Sequence, residues 1–310
     1  MVENLNKSKA KVGFALSGSG NRSSFYIGFL EVLTEHHVPI DYISACSGGS
    51  LVAAAFACGA LREFKEMAMG LDKEQIKVFF AKGGKGGLYS LDYFEEVVKK
   101  FTKGLTFGEV KPQMSFTAVN IGTGEIVDLC MGDIARAVRI SCTLPGIFEP
   151  ILWGGKALVD GGLLTSIPTE SLKTVGADII IGVNMRGTKH IFTNGQMTLK
   201  KIFNGFKKLL FLDELENLIN ILLPNGEQVD WAKKQPKLFE VLGKSLDIAI
   251  KAEKLSQKEP ESDLLIVPDF GFFERNDYSA EAIKSFYLYG RTCALEYVPK
   301  IKQLIAEKND

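Results

Sequence analysis

VGFALSGSGNR, residues 12–22, is an apolar run that changes abruptly into small and polar residues. The apolar part, residues 12–16, has the length and composition of a buried β-strand. The remainder contains too much glycine and serine for a regular element and predicts a loop. Apolar residues then recur at helical spacing as far as His36-His37, which predicts a helix directly after the loop.

This order of strand, loop and helix occurs a second time before residue 60. A strand is predicted at residues 42–46, a tight turn at Ser47-Gly48-Gly49-Ser50, and a helix of small residues at 51–60. Repeated units of this kind indicate an α/β layered fold with a largely parallel sheet. Residues 82–87, which contain four glycines, predict a hinge between two helical stretches. Further strands are predicted at residues 114–120, 156–159, 178–183 and 264–267.

The domain organisation follows from where these strands fall. They lie on both sides of every candidate boundary, so a single domain is predicted over residues 1–310. Within it, residues 11–185 form a core that carries the motifs. Residues 186–262 are predicted to be a helical insertion, and residues 263–310 a C-terminal strand and helix.

Composition excludes several classes of protein. Lys+Arg and Asp+Glu both number 37, so no global field attracts nucleic acid, and no nucleic-acid partner is expected. The five cysteines are an odd number without C-x-x-C spacing, which argues against a disulfide framework and a zinc site. Residues 1–11 hold no apolar signal region, and no apolar run approaches the ~18 residues of a membrane span. A cytoplasmic protein with reduced thiols is therefore expected.

Ser47 is the candidate nucleophile, because it stands where a buried strand turns sharply into a helix. Such a turn exposes the serine hydroxyl at the carboxyl end of the sheet, beside the positive end of the following helix. The hydrolase pattern G-x-S-x-G reads Ala45-Cys46-Ser47-Gly48-Gly49 here. Two alternatives exist: Ser47 or Ser50 only caps the helix, or Cys46 is the nucleophile. The strand directs Cys46 into the core, so we expect its thiol to be inert.

The glycine loop Gly18-Ser19-Gly20-Asn21-Arg22 offers consecutive backbone N–H groups at a strand–helix junction. Such an arrangement can bind an oxyanion or a phosphate. A dinucleotide site requires a third glycine where Ser23 stands and an acidic residue after the second strand, whereas Asp41 precedes that strand. The pattern therefore favours an oxyanion loop.

Asp160 is the candidate base. It ends the short apolar strand in Ala157-Leu158-Val159-Asp160-Gly161-Gly162, where two glycines leave room around the carboxylate. The alternative is an Asp-Gly turn of a hairpin. A triad would need a histidine, and the chain has three, His36, His37 and His190. The first two close a helix, and His190 lies in a polar connection without a motif, so we expect none to be catalytic.

Taken together, these segments resemble the patatin-like phospholipases, in particular small bacterial members. Four stretches agree in order and spacing and cover residues 11–185. They are Leu16 to Arg22 with its continuation Ile27 to Leu30, Ala45 to Gly49, Ser141 to Phe148, and Asp160-Gly161-Gly162 followed by Pro168. Three positions depart from the family pattern, namely Ser23 and Ala45, which replace glycine, and Ser166, which replaces asparagine.

The resemblance implies a three-layer α/β/α sandwich with a mainly parallel central sheet and a serine acyl hydrolase. Ser47 and Asp160 would form the catalytic dyad, acting on a lipid or other acyl ester without a metal or an organic cofactor. Gly18, Ser19 and Gly20 would form the oxyanion hole. The supporting residues would be Arg22, which holds the loop or an anionic head group, and Gly49, Gly161 and Gly162; the alternative for Arg22 is a surface salt bridge. Two other functions stay open, namely an acyltransferase with the same dyad and a lipid-binding protein of weak activity.

Residues 198–223 predict a helical insertion that contacts membrane or lipid aggregates and partly covers the site. One helical face carries the apolar residues Leu199, Ile202, Phe203, Phe206, Leu209 and Leu210. The opposite face carries Lys200, Lys201, Lys207 and Lys208, and a basic amphipathic helix suits an anionic lipid surface. This pattern predicts peripheral membrane contact. The alternative is packing on the core or on a second subunit, which would make the protein a homodimer.

Overall fold

The computed structural model describes residues 9–71, 73–79, 81–82, 86–165, 167–185, 237–255, 261–271, 277 and 279–310. The strands in this part of the chain are β1 Val12–Leu16, β2 Tyr42–Ala45, β3 Ala81–Lys82, β4 Gly87–Ser90, β5 Gln113–Asn120, β6 Glu125–Leu129, β7 Gly146–Phe148, β8 Ile151–Trp153, β9 Lys156–Asp160, β10 Ile179–Val183 and β11 Leu264–Ile266. The helices are α1 Ser23–Glu35, α2 Gly48–Ala57, α3 Leu61–Gly70, α4 Lys73–Val78, α5 Asp92–Thr102, α6 Ile134–Ser141, α7 Glu170–Thr174, α8 Leu238–Leu255 and α9 Ala280–Asn309.

The main sheet is built around the strands that the sequence predicts. β11, β10, β1, β2 and β5 lie side by side in that order and run parallel. β6 and β9 pair with β5 in an antiparallel fashion, and β8 pairs in the same way with β9. Every residue of β1 and β10 is buried, as expected for parallel strands that are covered on both faces.

Helices cover both faces of this sheet, which gives three layers. Val12, Phe14 and Leu16 of β1 belong to a large apolar core that also contains residues of α1, α2 and α9. Ala15 points to the opposite face and packs in a second cluster with Leu172 of α7. The α/β/α fold with a mainly parallel sheet is therefore confirmed, since successive side chains of one strand serve two helical layers.

A close crossing of α1 and α9 joins the C-terminal helix to the helix that follows the glycine loop. A Cβ atom added to Gly290 of α9 would overlap the backbone of Phe25, mainly its carbonyl oxygen. A Cβ atom added to Gly28 of α1 would overlap the carbonyl oxygen of Tyr287. The two helices thus touch backbone to backbone, which glycine alone permits at both positions.

Residues 83–85 of the predicted hinge lie outside the described residues, while its two ends, Lys82 and Gly87, lie in strands. β3 and β4 pair in an antiparallel fashion, and β4 pairs in parallel with β7 to complete a three-stranded sheet. A Cβ atom on Gly87 would overlap the backbone of Phe148 and Glu149. This glycine therefore serves the close approach of two strands rather than flexibility.

Residues 198–223 and His190, which belong to the predicted insertion, lie outside the described residues. Ser166 of the core lies outside them as well. The described end of the insertion is the helix α8, while β11 and α9 follow as a strand and a helix. The division into core, insertion and C-terminal segment stays a prediction. Within the parts of the chain that the structure describes, no helix combines the length and low polarity needed to cross a bilayer.

Candidate active site

Ser47 occupies a strained turn between β2 and α2. Its φ of 52° and ψ of −129° lie in a region that residues other than glycine rarely adopt, and such strain concentrates at functional sites. The Ser47 N–H donates to Ser141 Oγ at 2.9 Å, and the Ser50 hydroxyl donates to the Ser47 carbonyl at 2.6 Å. The Ser47 side chain makes no capping hydrogen bond to α2, so the interpretation as a simple helix cap is not supported.

The glycines after Ser47 bring α2 against the end of β1. A Cβ atom on Gly49 would lie 2.9 Å from the Ser17 carbonyl oxygen and 3.0 Å from that of Leu16. A Cβ atom on Gly48 would lie 2.6 Å from Ser19 Oγ and 3.3 Å from the backbone nitrogen of Gly20. The glycine loop therefore packs directly on the first turn of α2, beside Ser47.

Arg22 holds this loop to the end of β10. Its Nη1 donates to the carbonyl of Met185 at 2.8 Å, and its guanidinium lies 4.4 Å from the centroid of the Phe270 ring. The Ser17 hydroxyl accepts a hydrogen bond of 2.8 Å from the N–H of Met185. Among the predicted roles of Arg22, these contacts fit the one in which it holds the loop.

Asp160 ends β9 and is only 1% exposed. Its Oδ1 accepts hydrogen bonds from the Gly162 N–H at 2.7 Å and from the Cys46 thiol at 3.4 Å. A 3-10 turn over Gly161–Leu163 follows, so Asp160 is not the turn of a hairpin. A Cβ atom on Gly161 would lie 2.5 Å from the Thr117 carbonyl oxygen, which explains the small residue there.

The pairing of β5 brings the two candidate catalytic residues together. Phe116 pairs with Ala45 of β2 on one edge and with β6 on the other. Ala118 also pairs with β6 on that second edge, so its other partner, Asp160 of β9, must lie on the first edge. β9 therefore pairs with the same edge of β5 as β2. Since β2 runs parallel to β5 and β9 antiparallel, their carboxyl ends point at each other at the level of Thr117. The turn after Ala45 therefore faces the carboxylate of Asp160.

A hydrogen-bonded chain spans the same point. Ser141 Oγ donates to the Thr117 carbonyl at 2.9 Å while it accepts the Ser47 N–H. Two residues further on, the Thr143 carbonyl accepts the Asp160 N–H at 2.7 Å. The end of α6 therefore holds both candidate catalytic residues. Ser141 and Thr143 belong to a stretch that the sequence singles out, although nothing in it indicates these contacts.

A cavity of about 260 Å³ opens beside Ser47. Ser47, Gly48 and Gly20 stand on its wall, whereas Asp160 is buried and does not line it. Most of the remaining wall is apolar and includes Ile27, Leu51, Phe64, Ala68, Leu71, Ile76, Phe79, Leu91, Phe94, Leu144, Phe148 and Ile283. Ser47 thus lines a pocket suited to an apolar ligand.

Cys142 also lines this cavity, which sequence reasoning missed. Burial raises the pKa of its thiol, and the nearby charge of Asp160 raises it further, against a lowering by a hydrogen bond with Ser50. A thiol that stays protonated is a poor nucleophile. Cys46 is fully buried, as the sequence predicts. Ser47 is therefore the better nucleophile.

The histidines that the structure describes do not line the cavity beside Ser47. His36 and His37 directly follow α1 at its C-terminal end, where His37 is exposed. Within the described ranges, no group of three or more histidine, cysteine, aspartate or glutamate residues could hold a metal ion.

Residues 14–173 match the family model described as patatin-like phospholipase, which is more than half of the chain. The chain belongs to this family. An uncharacterized NTE family protein of Mycobacterium bovis is 26% identical over 183 residues, 59% of this chain and 51% of that protein. Lysophospholipase nte1 of Aspergillus fumigatus is 28% identical over 186 residues, 56% of this chain and 12% of the fungal protein. Our patatin-like chain thus spans about half or less of the length of these relatives.

A solved structure, VipD from Legionella pneumophila, superposes on 93% of this chain and 67% of its own. The TM-score is 0.43 and the sequence identity 13%.

Proposed function

We propose that this patatin-like chain is a serine acyl hydrolase that cleaves a carboxylic ester of a lipid. The observation that carries the proposal is the meeting of β2 and β9 on one edge of β5, with Ser47 and Asp160 at the two ends. Family membership supports it, as does the name lysophospholipase for one relative.

In the proposed reaction, Ser47 Oγ attacks the ester carbonyl and Asp160 takes the hydroxyl proton. The carbonyl oxygen becomes an anion, which the backbone N–H groups around Gly18 to Gly20 and the amino end of α2 stabilise. Asp160 then returns the proton to the leaving alcohol. Water repeats the cycle on the acyl-serine and releases the fatty acid, so atoms and charge balance without a cofactor.

The surroundings of the dyad fit this chemistry. The two donors on Asp160 Oδ1, Gly162 and Cys46, fix the orientation of the carboxylate. Gly49 and Gly161 permit the close approach that the turn requires, and Arg22 holds the loop. The apolar cavity beside Ser47 would take the acyl chain of the ester.

A substrate panel on variants tests the proposal. We expect Ser47→Ala and Asp160→Asn to lose nearly all hydrolysis of p-nitrophenyl esters and lysophospholipids, because an amide cannot accept the proton. His190→Ala should be close to wild type. Asp41→Asn is the matched control for the carboxylate, since Asp41 binds the backbone of Val12 at the opposite end of the sheet.

Fluorophosphonate labelling separates the possible outcomes. Wild type should be labelled and Ser47→Ala should not, whereas a lipid-binding protein without catalysis would stay unlabelled. More than a few per cent of wild-type turnover in Ser47→Ala, with unchanged melting, would remove Ser47 as the nucleophile. An alkyl ester formed preferentially in the presence of alcohol would identify an acyltransferase instead.

A further inference from the structure

Ser19 carries a buried hydroxyl that the backbone-only oxyanion hole does not use. We infer that this hydroxyl is an additional hydrogen-bond donor to the oxyanion, which makes Ser19 a catalytic residue. The inference rests on the proposed function, because it names a further part of the same site.

The position of the hydroxyl is the first argument. Ser19 Oγ lies against Gly48, the residue directly after Ser47, because a Cβ atom added there would be 2.6 Å away. The backbone nitrogen of Gly20 lies 3.3 Å from the same point. A side-chain hydroxyl and a backbone N–H of the glycine loop therefore converge on the first turn of α2, at the residue next to the nucleophile.

The missing partner of the hydroxyl is the second argument. Within the described residues, Ser19 Oγ is buried and has no hydrogen-bond partner. Its neighbour Ser23 differs, since Ser23 Oγ donates to the Gly20 carbonyl at 2.6 Å. Buried hydroxyls are almost always paired, and an exception calls for an explanation. A partner that exists only when substrate is attacked provides one.

The backbone conformation at position 19 does not itself require a serine. Ser19 has φ of −124° and ψ of −20°, which residues other than glycine adopt readily. Gly20, by contrast, has a positive φ of 55°. The side chain of Ser19 is therefore not needed to maintain the backbone conformation. Its hydroxyl hydrogen can rotate about the Cβ–Oγ bond and point at the anion. The hydroxyl keeps its proton throughout, so it stabilises charge and transfers nothing.

Ser19→Ala and Ser19→Gly test the inference by kinetics. Loss of one preorganised oxyanion donor lowers kcat by about 10²–10³-fold. We expect kcat to fall in that range in both variants, with KM within about twofold of wild type, because the bond forms only in the transition state. Ser19→Cys should be intermediate, since a thiol is a weaker donor.

Inhibitor affinity and stability exclude a merely structural role. An alkyl trifluoromethyl ketone forms a hemiketal oxyanion on Ser47, so its Ki should rise by the same factor as kcat falls. The melting temperature of Ser19→Ala should be unchanged or higher, because a buried unpaired hydroxyl is removed. Ser171→Ala is the control with the opposite pattern. The Ser171 hydroxyl donates to the Pro168 carbonyl at 3.4 Å on the far side of the sheet. We therefore expect this variant to have a lower melting temperature and an unchanged kcat.

Three results would overturn the inference. These are a kcat within about threefold of wild type in both variants, a loss of kcat without a change in Ki, and a lowered melting temperature that accompanies an unchanged Ki. An inactive wild type would instead remove the proposed function itself, so the two failures are distinguishable.

Discussion

Replacing Gly290 by alanine should destabilise the protein, although alanine is the better helix former. The added Cβ would meet the carbonyl oxygen, carbonyl carbon and Cα of Phe25, which are backbone atoms of α1. None of these atoms can rotate away as a flexible side chain would. The helices α1 and α9 must therefore move apart, and the stacked rings of Phe25 and Phe29 at the crossing lose part of their contacts.

The magnitude follows from two opposing terms. Overpacking a well-filled core costs about 1–3 kcal/mol, and the upper end applies where the obstacle is backbone. Replacing glycine by alanine in a helix interior stabilises by about 1 kcal/mol. We therefore expect Gly290→Ala to lower the free energy of unfolding by about 2 kcal/mol.

Urea denaturation followed by circular dichroism measures this difference, as a lower midpoint at an unchanged slope. Gly243→Ala is the matched control, because Gly243 lies within α8 and a Cβ there meets nothing within 4 Å. That variant should gain about 0.5–1 kcal/mol. If Gly290→Ala proved as stable as wild type, or if both variants shifted in the same direction, the backbone contact of α1 and α9 would be refuted.

Two further predictions concern thiols and lipid surfaces. Burial raises the pKa of Cys58 to about 11 and that of Cys293 to about 12, so both stay protonated at pH 8, while Cys130 is exposed. Ellman's reagent at pH 8 should therefore modify Cys130 first, and the buried thiols only after unfolding; simultaneous reaction would contradict this burial. The amphipathic pattern of residues 198–223 predicts that wild type sediments with anionic vesicles and that Phe203→Ser/Phe206→Ser does not. Equal sedimentation of the two proteins, or none of wild type, would leave a packing or dimer role.

The positions of six of the eleven described strands, β1, β2, β5, β9, β10 and β11, and of the Ser47 turn could be predicted, because each depends on a few neighbouring residues. The apolar run before Ser47 and the two glycines after it are sufficient to indicate a strained turn. The meeting of Ser47 and Asp160 could not be predicted in the same way. It depends on which edge of β5 accepts β9, and strand register is a property of the whole sheet.

Glycines show the same limit. The glycines at residues 82–87 predict a hinge, yet Gly87 is there because β4 approaches the backbone of β7 closely. Gly28 and Gly290 lie far apart in the sequence, and neither indicates that the other is its neighbour. A glycine can provide flexibility, a positive φ or room for another chain segment, and a single sequence does not tell these apart. Similarly, nothing in the sequence marks Cys142 as part of the cavity wall.

The head-to-head arrangement of β2 and β9 has a consequence for how activity arises during folding. Cys46 and Asp160 are 114 positions apart along the chain, and no short-range contact brings them together. β2 and β9 each pair with β5 and not with each other. Both strands must therefore pair with β5 before the Ser47 hydroxyl and the Asp160 carboxylate face each other. Closing such a long loop is slow compared with forming the helices. Recovery of catalysis after dilution from denaturant should consequently lag behind recovery of the circular dichroism signal of the helices. The rate at which turnover returns would then report the rate of the last step of sheet assembly.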